Sequence, residues 1–272
     1  MLTKLINLLF RLSPNAKFAM LRRWYEFIST LDKDDQMLFM NYGYVPLNSN
    51  GQRLELLPLD EKKRYFIQLY DHVASAIEWD GVDALEVGSG RGGGASFMMR
   101  YLQPNSLIGL DLTANAIEFC HRYHSVEGLS FMRGDAESLP FADDSFDVVI
   151  NVESSHCYPH FGQFLSEVTR VLKPNGHFLY ADFRNQPQLE RWRQQLYDMR
   201  LELLKEENIT PNVLGSLDID HDRKQKLIDY YVPKIIRDPF YDFAAMKGSR
   251  IYRTFETGEK EYWRFAFCKG KF

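Results

Sequence analysis

A glycine-rich loop is the first segment whose residue types and spacing could do chemistry. Gly88, Gly90 and Gly93 fit the pattern G-x-G-x-x-G and follow the strand-like run Leu85-Glu86-Val87. Glycines let a backbone approach a ligand closely, and the helix that begins after them offers free N–H donors. The loop therefore predicts a site for a cofactor that contains a nucleotide, although this motif alone does not identify the cofactor.

Two carboxylates after the next strands narrow the choice of cofactor. Asp111 closes the second predicted strand, 21 residues after Gly90, at the distance where an acid accepts hydrogen bonds from ribose hydroxyls. That position suits a nicotinamide dinucleotide and S-adenosylmethionine equally. Asp135 and Ala136 follow the third strand, where a carboxylate can accept from an adenine amino group while the next backbone N–H donates to the ring. Together with the motifs that follow it, this second position favours S-adenosylmethionine.

The order of these motifs along the chain resembles the class I S-adenosylmethionine-dependent methyltransferases. Asp144-Ser145-Phe146-Asp147 leads into the fourth strand and Lys173-Pro174-Asn175-Gly176 into the fifth. The resemblance implies that Glu86 lies beneath the methionine part of the cofactor, that Asp111 holds the ribose, and that the backbone of Asn151 holds the methionine amino group. The complete implied cofactor site is Tyr42, Glu86, Gly88, Ser89, Gly90, Asp111, Leu112, Asp135, Ala136 and Asn151.

Three further segments carry a closer resemblance. Residues 92–96, 133–141 and 152–161 are similar to the phthiotriol/phenolphthiotriol dimycocerosate methyltransferase family, whose members O-methylate a hydroxyl on a long lipid. The segment Asn41-Tyr42-Gly43-Tyr44 instead resembles an element of sterol and small-natural-product methyltransferases, in which a tyrosine covers the cofactor. Tyr42 or Tyr44 is therefore a candidate lid residue, and the identity of the substrate stays open.

Two histidines after the fourth predicted strand are the candidate catalytic residues. His156 and His160 lie at the carboxyl edge of the predicted sheet, where open α/β sheets bind ligands. A neutral alcohol must lose its proton to accept a methyl group, and a histidine can take that proton near neutral pH. By resemblance, the position of His156 faces the methyl group, so His156 is the predicted base. The alternatives are a buried histidine bonded to a backbone carbonyl for His156 and a helix cap for His160.

No metal site is predicted. The groups His156, Cys157, His160 and Cys120, His121, His124 each lack the fourth ligand of a structural zinc site. Cys120, Cys157 and Cys268 have neither the even number nor the spacing of a disulfide framework. A reducing compartment is the simplest home for these thiols, so the prediction is a cytoplasmic protein.

Alternating apolar runs and helical stretches indicate an α/β fold. Strands are predicted at 84–87, 107–111, 129–132, 146–151 and 177–182, with helices at 61–77, 93–101, 114–124 and 161–172. A helix is predicted over 188–207, an irregular region over 208–248, and a terminal antiparallel hairpin from 249–255 and 261–268.

The predicted fold is a Rossmann-like, doubly wound, seven-stranded sheet with an antiparallel last strand, N-terminal helices and a helical cap insertion. The predicted domains are an N-terminal arm and lid loop over 1–60 and a methyltransferase core over 61–272, with the cap at 183–248.

The charge is unevenly distributed along the chain. The 272 residues carry a net charge of -4, which argues against nucleic acid as a partner, yet residues 1–30 are basic, with five Lys and Arg against one Glu. Helices are predicted in this arm. It either packs over the mouth of the active site, exchanges with a second subunit in a homo-oligomer, or rests on an anionic membrane surface.

Four functions are consistent with these features. The favoured one is O-methylation of a hydroxyl on an apolar, small-molecule natural product or lipid. The second is C-methylation of a sterol-like carbon, in which aromatic rings shelter a developing cation. The other two are an NAD-dependent oxidoreductase, which the glycine loop alone allows, and a binding protein that has kept the fold without catalysis.

Overall fold

The sheet places its parallel strands as the sequence predicts. The computed structural model describes residues 37–47 and 54–270, except for the side chain of Ile236. Seven strands form one sheet in the order β3-β2-β1-β4-β5-β7-β6. They are β1 (Asp83–Val87), β2 (Ser106–Asp111), β3 (Leu129–Arg133), β4 (Phe146–Val152), β5 (Leu172–Asn185), β6 (Glu202–Asn208) and β7 (Lys260–Cys268). Strands β1 to β5 pair in parallel, and β7 is antiparallel to both β5 and β6. The predicted fold class is confirmed.

Nine α-helices lie among the described residues. They are α1 (Arg64–Ala74), α2 (Gly93–Phe97), α3 (Ala114–Tyr123), α4 (Phe161–Val171), α5 (Gln186–Tyr197), α6 (Thr210–Ile219), α7 (His221–Tyr231), α8 (Arg237–Phe243) and α9 (Arg250–Glu256). A π-helical turn, Met98–Leu102, continues α2, and 3₁₀ turns lie at Glu61–Lys63, Ser155–Cys157 and Lys234–Ile236.

The core has two layers because the strands alternate their side chains. Val148 and Ile150 of β4 face one layer, which also takes residues from α1, α2 and α3. Val149, between them, faces the other layer, which also takes residues from α4 and α5. Helices on both faces bury the parallel strands and fix the carboxyl ends of β1, β2 and β4 at one edge.

The segment 173–176, which is predicted to lead into the fifth strand, is a bulge inside β5. Phe146 of β4 pairs with Leu172, but Val148 pairs with His177, so the intervening residues of β5 leave the register. Asn175 adopts a positive φ of 63° there. Pro174 and Gly176 mark a local departure from pairing in this strand, which is one of the structural uses of such residues.

The second half of the helix predicted over 188–207 is wrong. Helix α5 ends at Tyr197, and Glu202–Asn208 forms β6, which pairs with β7 at the edge of the sheet. The strand carries Lys205, which is exposed, and Glu206 and Glu207, which are half-buried, because an edge strand can keep charged side chains at least partly in solvent. Those charges suit an exposed helix equally well, so the pattern misled the prediction.

The irregular region predicted over 208–248 contains the helices α6, α7 and α8, so this prediction is wrong. Pro211 lies in the first turn of α6 and Pro239 near the start of α8. Proline is tolerated at a helix start because the N–H it lacks would have no partner there. The first arm of the predicted hairpin is also wrong, because Arg250–Glu256 is helix α9, whose cap Ser249 accepts a hydrogen bond from the Tyr252 N–H.

The helices between β6 and β7 pack against the segment 37–47. The Val45 N–H donates to the Asn212 carbonyl at 3.2 Å, and the Ser216 hydroxyl of α6 donates to the Tyr42 carbonyl at 3.1 Å. Gly43 has a φ of +80°, and a Cβ atom there would lie 2.3 Å from the Ser216 Oγ. The segment is therefore held on α6 by hydrogen bonds and by one position that requires glycine.

The predicted division into domains stays a prediction, with one clarification from the structure. Residues 183–208 contribute the end of β5, helix α5 and strand β6 to the sheet layer, whereas α6 to α9 form the covering helices. The predicted basic arm at 1–30 and its helices lie outside the described residues.

Candidate active site

A cavity of about 180 Å³ opens at the carboxyl ends of β1, β2 and β4. We call it the glycine-loop cavity. Seven of the predicted cofactor residues line it: Gly88, Ser89, Gly90, Asp111, Leu112, Asp135 and Ala136. The structure therefore brings together residues from the ends of three different strands, as expected for a ligand site in an open α/β sheet.

The glycine loop is shaped by close approach of its backbone to neighbouring groups. Gly88 has a φ of +76°, and a Cβ atom there would lie 2.2 Å from the Ser154 Oγ. The Gly90 N–H donates to one Asp111 oxygen at 2.9 Å, and the backbone N–H and hydroxyl of Thr113 donate to the other at 2.9 and 2.7 Å. The Asp111 carboxylate is thereby held at the cavity wall with lone pairs left for a ligand.

Asp135 and Ala136 form a turn in the wall of the same cavity. The Asp135 carboxylate accepts a hydrogen bond from the Glu137 N–H at 2.9 Å, and the Ser138 N–H donates to the Asp135 carbonyl. Asp135 is exposed and Ala136 buried. This is the geometry of an Asx turn, which fixes the direction of both residues at the cavity edge.

Glu86 and Asn151 support the loop from beneath and do not line the cavity. The Tyr70 hydroxyl donates to one Glu86 oxygen at 2.7 Å, and burial raises the pKa of Glu86 to about 8. The Asn151 side-chain amide donates to the Val87 carbonyl and the Ser154 Oγ, both at 2.8 Å. Among the described residues, the second Glu86 oxygen and the Asn151 Oδ1 are buried without a hydrogen-bond partner.

The predicted lid segment reaches the cavity, but through other residues than its tyrosines. Residues 38–41 line the glycine-loop cavity, and Tyr42 does not. The Tyr42 ring packs on Phe183 with ring centroids 5.5 Å apart, and its hydroxyl donates to the Phe243 carbonyl at 3.3 Å. Tyr44 stacks on His72 at 4.2 Å. A covering role for Tyr42 stays a prediction, and the backbone that carries it does cover the cavity.

His156 forms a close pair with a carboxylate at the end of β5. Its Nδ1 lies 2.9 Å from one Asp182 oxygen, and its backbone N–H donates to the other at 2.9 Å. The Ser155 hydroxyl donates to Asp182 at 2.6 Å, and the Arg184 guanidinium pairs with it at 3.1 Å. The ring partner is a carboxylate, in contrast to the backbone carbonyl of the alternative interpretation.

The charges of this cluster are mutually compensating. Burial alone would raise the pKa of Asp182, but Arg184 and His156 outweigh it and hold that pKa well below its usual range. Burial alone would lower the pKa of His156, but Cys157 and Asp182 outweigh it and raise that pKa to about 10. The His156 ring, which stacks on Phe183 at 4.4 Å, is one-fifth exposed and lies outside the lining of the glycine-loop cavity.

His160 has a different environment from His156. Its side chain is 63% exposed, and its Nδ1 lies 2.8 Å from a Glu137 oxygen. The His160 N–H also donates to Glu137, at the position that precedes α4. The structure thus separates the two predicted catalytic histidines into one half-buried pair and one exposed pair.

Glu153 is a cavity residue that the sequence reasoning missed. It follows β4, has a positive φ of 50° and lines the glycine-loop cavity. It accepts hydrogen bonds from the Tyr42 N–H at 2.9 Å and the Tyr262 hydroxyl at 3.1 Å, and burial raises its pKa to about 8. Asp182 was missed as well. The signal for both was an acid at the carboxyl end of a buried strand.

A second cavity of about 120 Å³ adjoins the first. Helices α7 and α8 and the segment 37–42 supply most of its lining, which is largely apolar. Phe39, Met40 and Asn41 line both cavities. One short segment therefore separates the glycine loop from an apolar space large enough for part of an elongated ligand.

Comparison with known proteins identifies the family to which this chain belongs. A sequence model described as a methyltransferase domain matches residues 85–180. A phthiotriol/phenolphthiotriol dimycocerosates methyltransferase of Mycobacterium tuberculosis is 40% identical over 248 residues, 91% of each chain. A fatty-acid O-methyltransferase of Mycolicibacterium smegmatis is 39% identical over 90% of this chain and 88% of the relative. The chain belongs to this methyltransferase family.

Solved structures agree with the fold of this methyltransferase. The [4+2]-cyclase SpnF has a TM-score of 0.68 at 19% identity, covering 92% of this chain and 95% of its own. Geranyl diphosphate C-methyltransferase of Streptomyces coelicolor has a TM-score of 0.63 at 15% identity, covering 90% and 98%. At these identities the likeness concerns the fold alone.

The cavity of this methyltransferase fits S-adenosylmethionine, its cofactor. The buried oxygens of Glu86 and Asn151 that lack partners among the described residues could accept hydrogen bonds from an amino group or balance a positive charge. The glycines leave space for a close approach, and Asp111 offers acceptors for hydroxyl groups. Family membership decides against the NAD-dependent oxidoreductase interpretation.

Neither a metal-binding cluster nor a membrane-spanning helix lies among the described residues. Over 37–47 and 54–270, no group of three or more His, Cys, Asp and Glu residues is arranged to hold a metal ion. In the same part of the chain, no helix combines the length and the apolar character that crossing a membrane requires.

Proposed function

We propose that this enzyme transfers a methyl group from S-adenosylmethionine to an oxygen of an apolar lipid or natural product, with a hydroxyl as the acceptor. The observation that carries the proposal is the His156–Asp182 pair, with 2.9 Å between Nδ1 and Oδ1, at the carboxyl edge of the sheet. The names of the relatives support oxygen and lipid, and the apolar second cavity supports an elongated substrate.

The cofactor roles in this proposal follow the cavity wall. Gly88, Ser89 and Gly90 bind through the loop backbone, Asp111 accepts from ribose hydroxyls, and Leu112 packs beside them. Asp135 and Ala136 bind the adenine, and Glu86 and Asn151 support the methionine end from below. When bound, S-adenosylmethionine supplies a methyl carbon on a positively charged sulfur. The chain then has to hold the accepting oxygen and remove its proton.

His156 is the proposed base. A hydrogen bond from Nδ1–H to Asp182 keeps the proton on that nitrogen and leaves Nε2 as the acceptor of the hydroxyl proton. The raised pKa of His156 means that the ring is protonated in the free protein at neutral pH. A positive charge brought into the adjacent cavity lowers that pKa, because like charges disfavour protonation. Cofactor binding thus prepares the base.

The aromatic cluster around Tyr42 is proposed to exclude water from the reacting groups. Phe183 stacks on both Tyr42 and His156, and Phe255 meets the rings of Tyr42 and Phe183 edge-on. Exclusion of water strengthens the electrostatic interaction between His156 and Asp182 and protects the transferred group. The same rings are the observation that keeps C-methylation as the second candidate, since aromatic faces can stabilise a cation.

The test is methyl transfer from labelled S-adenosylmethionine to hexadecan-1-ol and to a lipid-enriched extract, with the product identified by mass spectrometry. A labelled methyl ether that wild type forms and His156→Ala does not form is the expected result. Label recovered on carbon would support the second candidate in place of O-methylation. Equal ether formation by the two proteins would remove His156 as the base.

A further inference from the structure

The second cavity contains a buried cation among apolar side chains. Lys224 of α7 is 9% exposed and lines this cavity. Its Nζ lies 5.7 Å from the centre of the Phe66 ring and 6.0 Å from that of Tyr42. Buried charges in proteins are normally paired or hydrogen-bonded, because removing an ammonium group from water is costly. A lysine in this position therefore requires an explanation.

The described residues do not satisfy the Lys224 ammonium group. It has three N–H donors, and its one hydrogen bond among these residues, to the Ala244 carbonyl, is long at 3.5 Å. Asp220, the carboxylate that attracts Lys224 most strongly, is already engaged by Arg223 through two bonds of 2.6 Å. Lys224 consequently contributes an excess positive charge to the apolar cavity.

The other charged group that acts on Lys224 does not neutralise it at neutral pH. Glu153 attracts it from the far side of Tyr42, but burial raises the pKa of Glu153 to about 8, so most of that carboxyl is protonated at pH 7. Burial lowers the pKa of Lys224 itself to about 8, which leaves the ammonium form predominant at pH 7. The cavity thus offers a cation with free donors.

We infer that the second cavity binds an apolar molecule that carries a carboxylate, and that Lys224 is the cationic partner of this carboxylate. A carboxylate supplies the acceptors and the negative charge that Lys224 lacks, and its apolar body matches the rest of the lining. The inference rests on the proposed function for the identity of the molecule as substrate. It names the substrate class as a long-chain acid that also carries the accepting hydroxyl.

The position of Lys224 relative to the reaction site supports this assignment. The Tyr42 ring faces Lys224, and the Tyr42 N–H donates to Glu153, which lines the glycine-loop cavity. Tyr42 therefore lies between the two cavities. A ligand whose carboxylate is bound at Lys224 lies next to Tyr42. Another part of the same molecule can therefore present an oxygen to the glycine-loop cavity.

The test is isothermal titration calorimetry with dodecanoate and dodecan-1-ol at pH 7. Wild type is expected to bind the acid about tenfold more tightly than the alcohol, since a hydrogen bond to a charged group is worth about one factor of ten or more. Lys224→Met, which keeps the length and apolar character, is expected to lose that preference while its affinity for the alcohol stays unchanged. Lys224→Arg should keep part of it.

The matched control is Lys226→Met, which removes an exposed lysine two residues along the same helix. It should bind both ligands like wild type. Equal affinity of wild type for acid and alcohol, or an unchanged acid preference in Lys224→Met, would overturn the inference. Failure to bind either ligand would also overturn it, and would indicate that another occupant fills the cavity. Thermal melting of each variant establishes that it is folded.

The design separates this inference from the proposed function. Ligand binding is measured without cofactor or turnover, whereas methyl transfer is measured with labelled S-adenosylmethionine. Acid binding that depends on Lys224, with no labelled product from any oxygen acceptor, would refute the proposed function and leave the carboxylate site standing. Labelled product from an alcohol, with no acid preference in binding, would refute the carboxylate site and leave the proposed function standing.

Discussion

The glycine-loop cavity and the second cavity meet at Phe39, Met40 and Asn41 but are built from different parts of the chain. The first is formed largely by backbone turns at the ends of β1, β2 and β4. The second is formed by side chains of α7, α8 and the lid segment. Recognition by backbone suits a ligand that never changes, whereas side chains on covering helices can be exchanged without disturbing the sheet. In the proposed function, the first cavity binds the cofactor and the second selects the substrate.

The two cavities also differ in the buried groups whose pKa values are shifted. Glu153 lines the first cavity and Glu86 lies beneath its glycine loop, and burial raises the pKa of each to about 8. Lys224 belongs to the second, and burial lowers its pKa to about 8. Burial disfavours the ionised form of each group, and a ligand of opposite charge favours it. Acids therefore indicate a cationic ligand in one cavity, and the lysine indicates an anionic ligand in the other.

Of the variants that test the roles of the two cavities, His156→Ala is expected to change activity the most. Loss of the general base should lower kcat about 100- to 10,000-fold for a hydroxyl acceptor, because proton transfer contributes that much in enzymes that use it. Affinity for S-adenosylhomocysteine should stay unchanged, since His156 does not line the glycine-loop cavity. Steady-state kinetics and calorimetry on the same preparation measure the two quantities. An unchanged kcat would contradict the assignment.

The pH dependence of kcat/KM also tests the role of His156 as the base. The raised pKa of His156 in the free protein predicts that kcat/KM for S-adenosylmethionine increases with pH toward about 10, since only the neutral ring accepts a proton. Asp182→Asn removes one of the charges that raise this pKa, so the profile should move to lower pH as the maximal rate falls. A purely structural Asp182 would lower the rate without moving the profile.

Glu86 and Glu153 should make the folded state lose stability as pH rises. A carboxyl whose pKa is raised on folding binds more protons in the folded state, so its favourable contribution is present below about 4.5 and is lost as pH rises toward 8. The double variant Glu86→Gln, Glu153→Gln should lack that decline, which at about 1.4 kcal/mol per pKa unit is on the order of 3–4 kcal/mol for each carboxyl between pH 5 and 8. Urea unfolding between pH 5 and 8 measures it. Parallel curves for variant and wild type would show that neither group titrates with a raised pKa.

Gly43→Ala should detach the lid segment from α6. The positive φ of Gly43 and the 2.3 Å approach to the Ser216 Oγ leave no space for a Cβ atom. A cost of about 1–3 kcal/mol in unfolding free energy is expected from the strained backbone. Gly258→Ala is the matched control, because its φ is also positive at +74° but nothing lies within 4 Å of a Cβ atom. Equal losses in both variants would mean that docking on α6 is not what Gly43 provides.

Lys224→Met should have the smallest effect. Lys224 makes stability change with pH in the direction opposite to that of Glu86 and Glu153. The folded protein binds fewer protons than the unfolded chain between pH 8 and 10.5, so Lys224 makes stability rise with pH in that window. The variant should lack this rise and should gain about 1 kcal/mol at pH 7, because a desolvated charge is removed. Chemical unfolding at pH 7 and pH 10 tests both parts. A destabilised variant at pH 7 would show that the lysine is satisfied in the folded protein.

The sheet and the glycine-loop cavity could be predicted because their signals are local. The parallel strands are short apolar runs. Asp111 ends β2, and Asp135 follows β3 by two residues. The covering helices were missed because Pro211 and Pro239 lie in first turns, where proline is compatible with a helix. β6 was missed because an exposed edge strand carries the charges of an exposed helix.

Part of the candidate site depends on contacts that no local pattern records. Asp182 becomes the partner of His156 only because β4 and β5 are neighbours, which places residues 26 positions apart within 2.9 Å. Glu153 is half-buried and Lys224 buried, and residues 37–42 contact both through Tyr42, whose N–H donates to Glu153 and whose ring lies 6.0 Å from the Lys224 Nζ. A charged residue in a sequence is most simply solvated, so these buried charges needed the structure.

The most direct measurement is the affinity of S-adenosylhomocysteine for Asp111→Asn and Lys224→Met by calorimetry. The assignment of the cofactor to the glycine-loop cavity predicts at least a tenfold loss in Asp111→Asn, because the neutral amide is a weaker acceptor for ribose hydroxyls. Lys224→Met should bind like wild type. Unchanged binding in Asp111→Asn, or an equal loss in Lys224→Met, would contradict the division of labour between the two cavities.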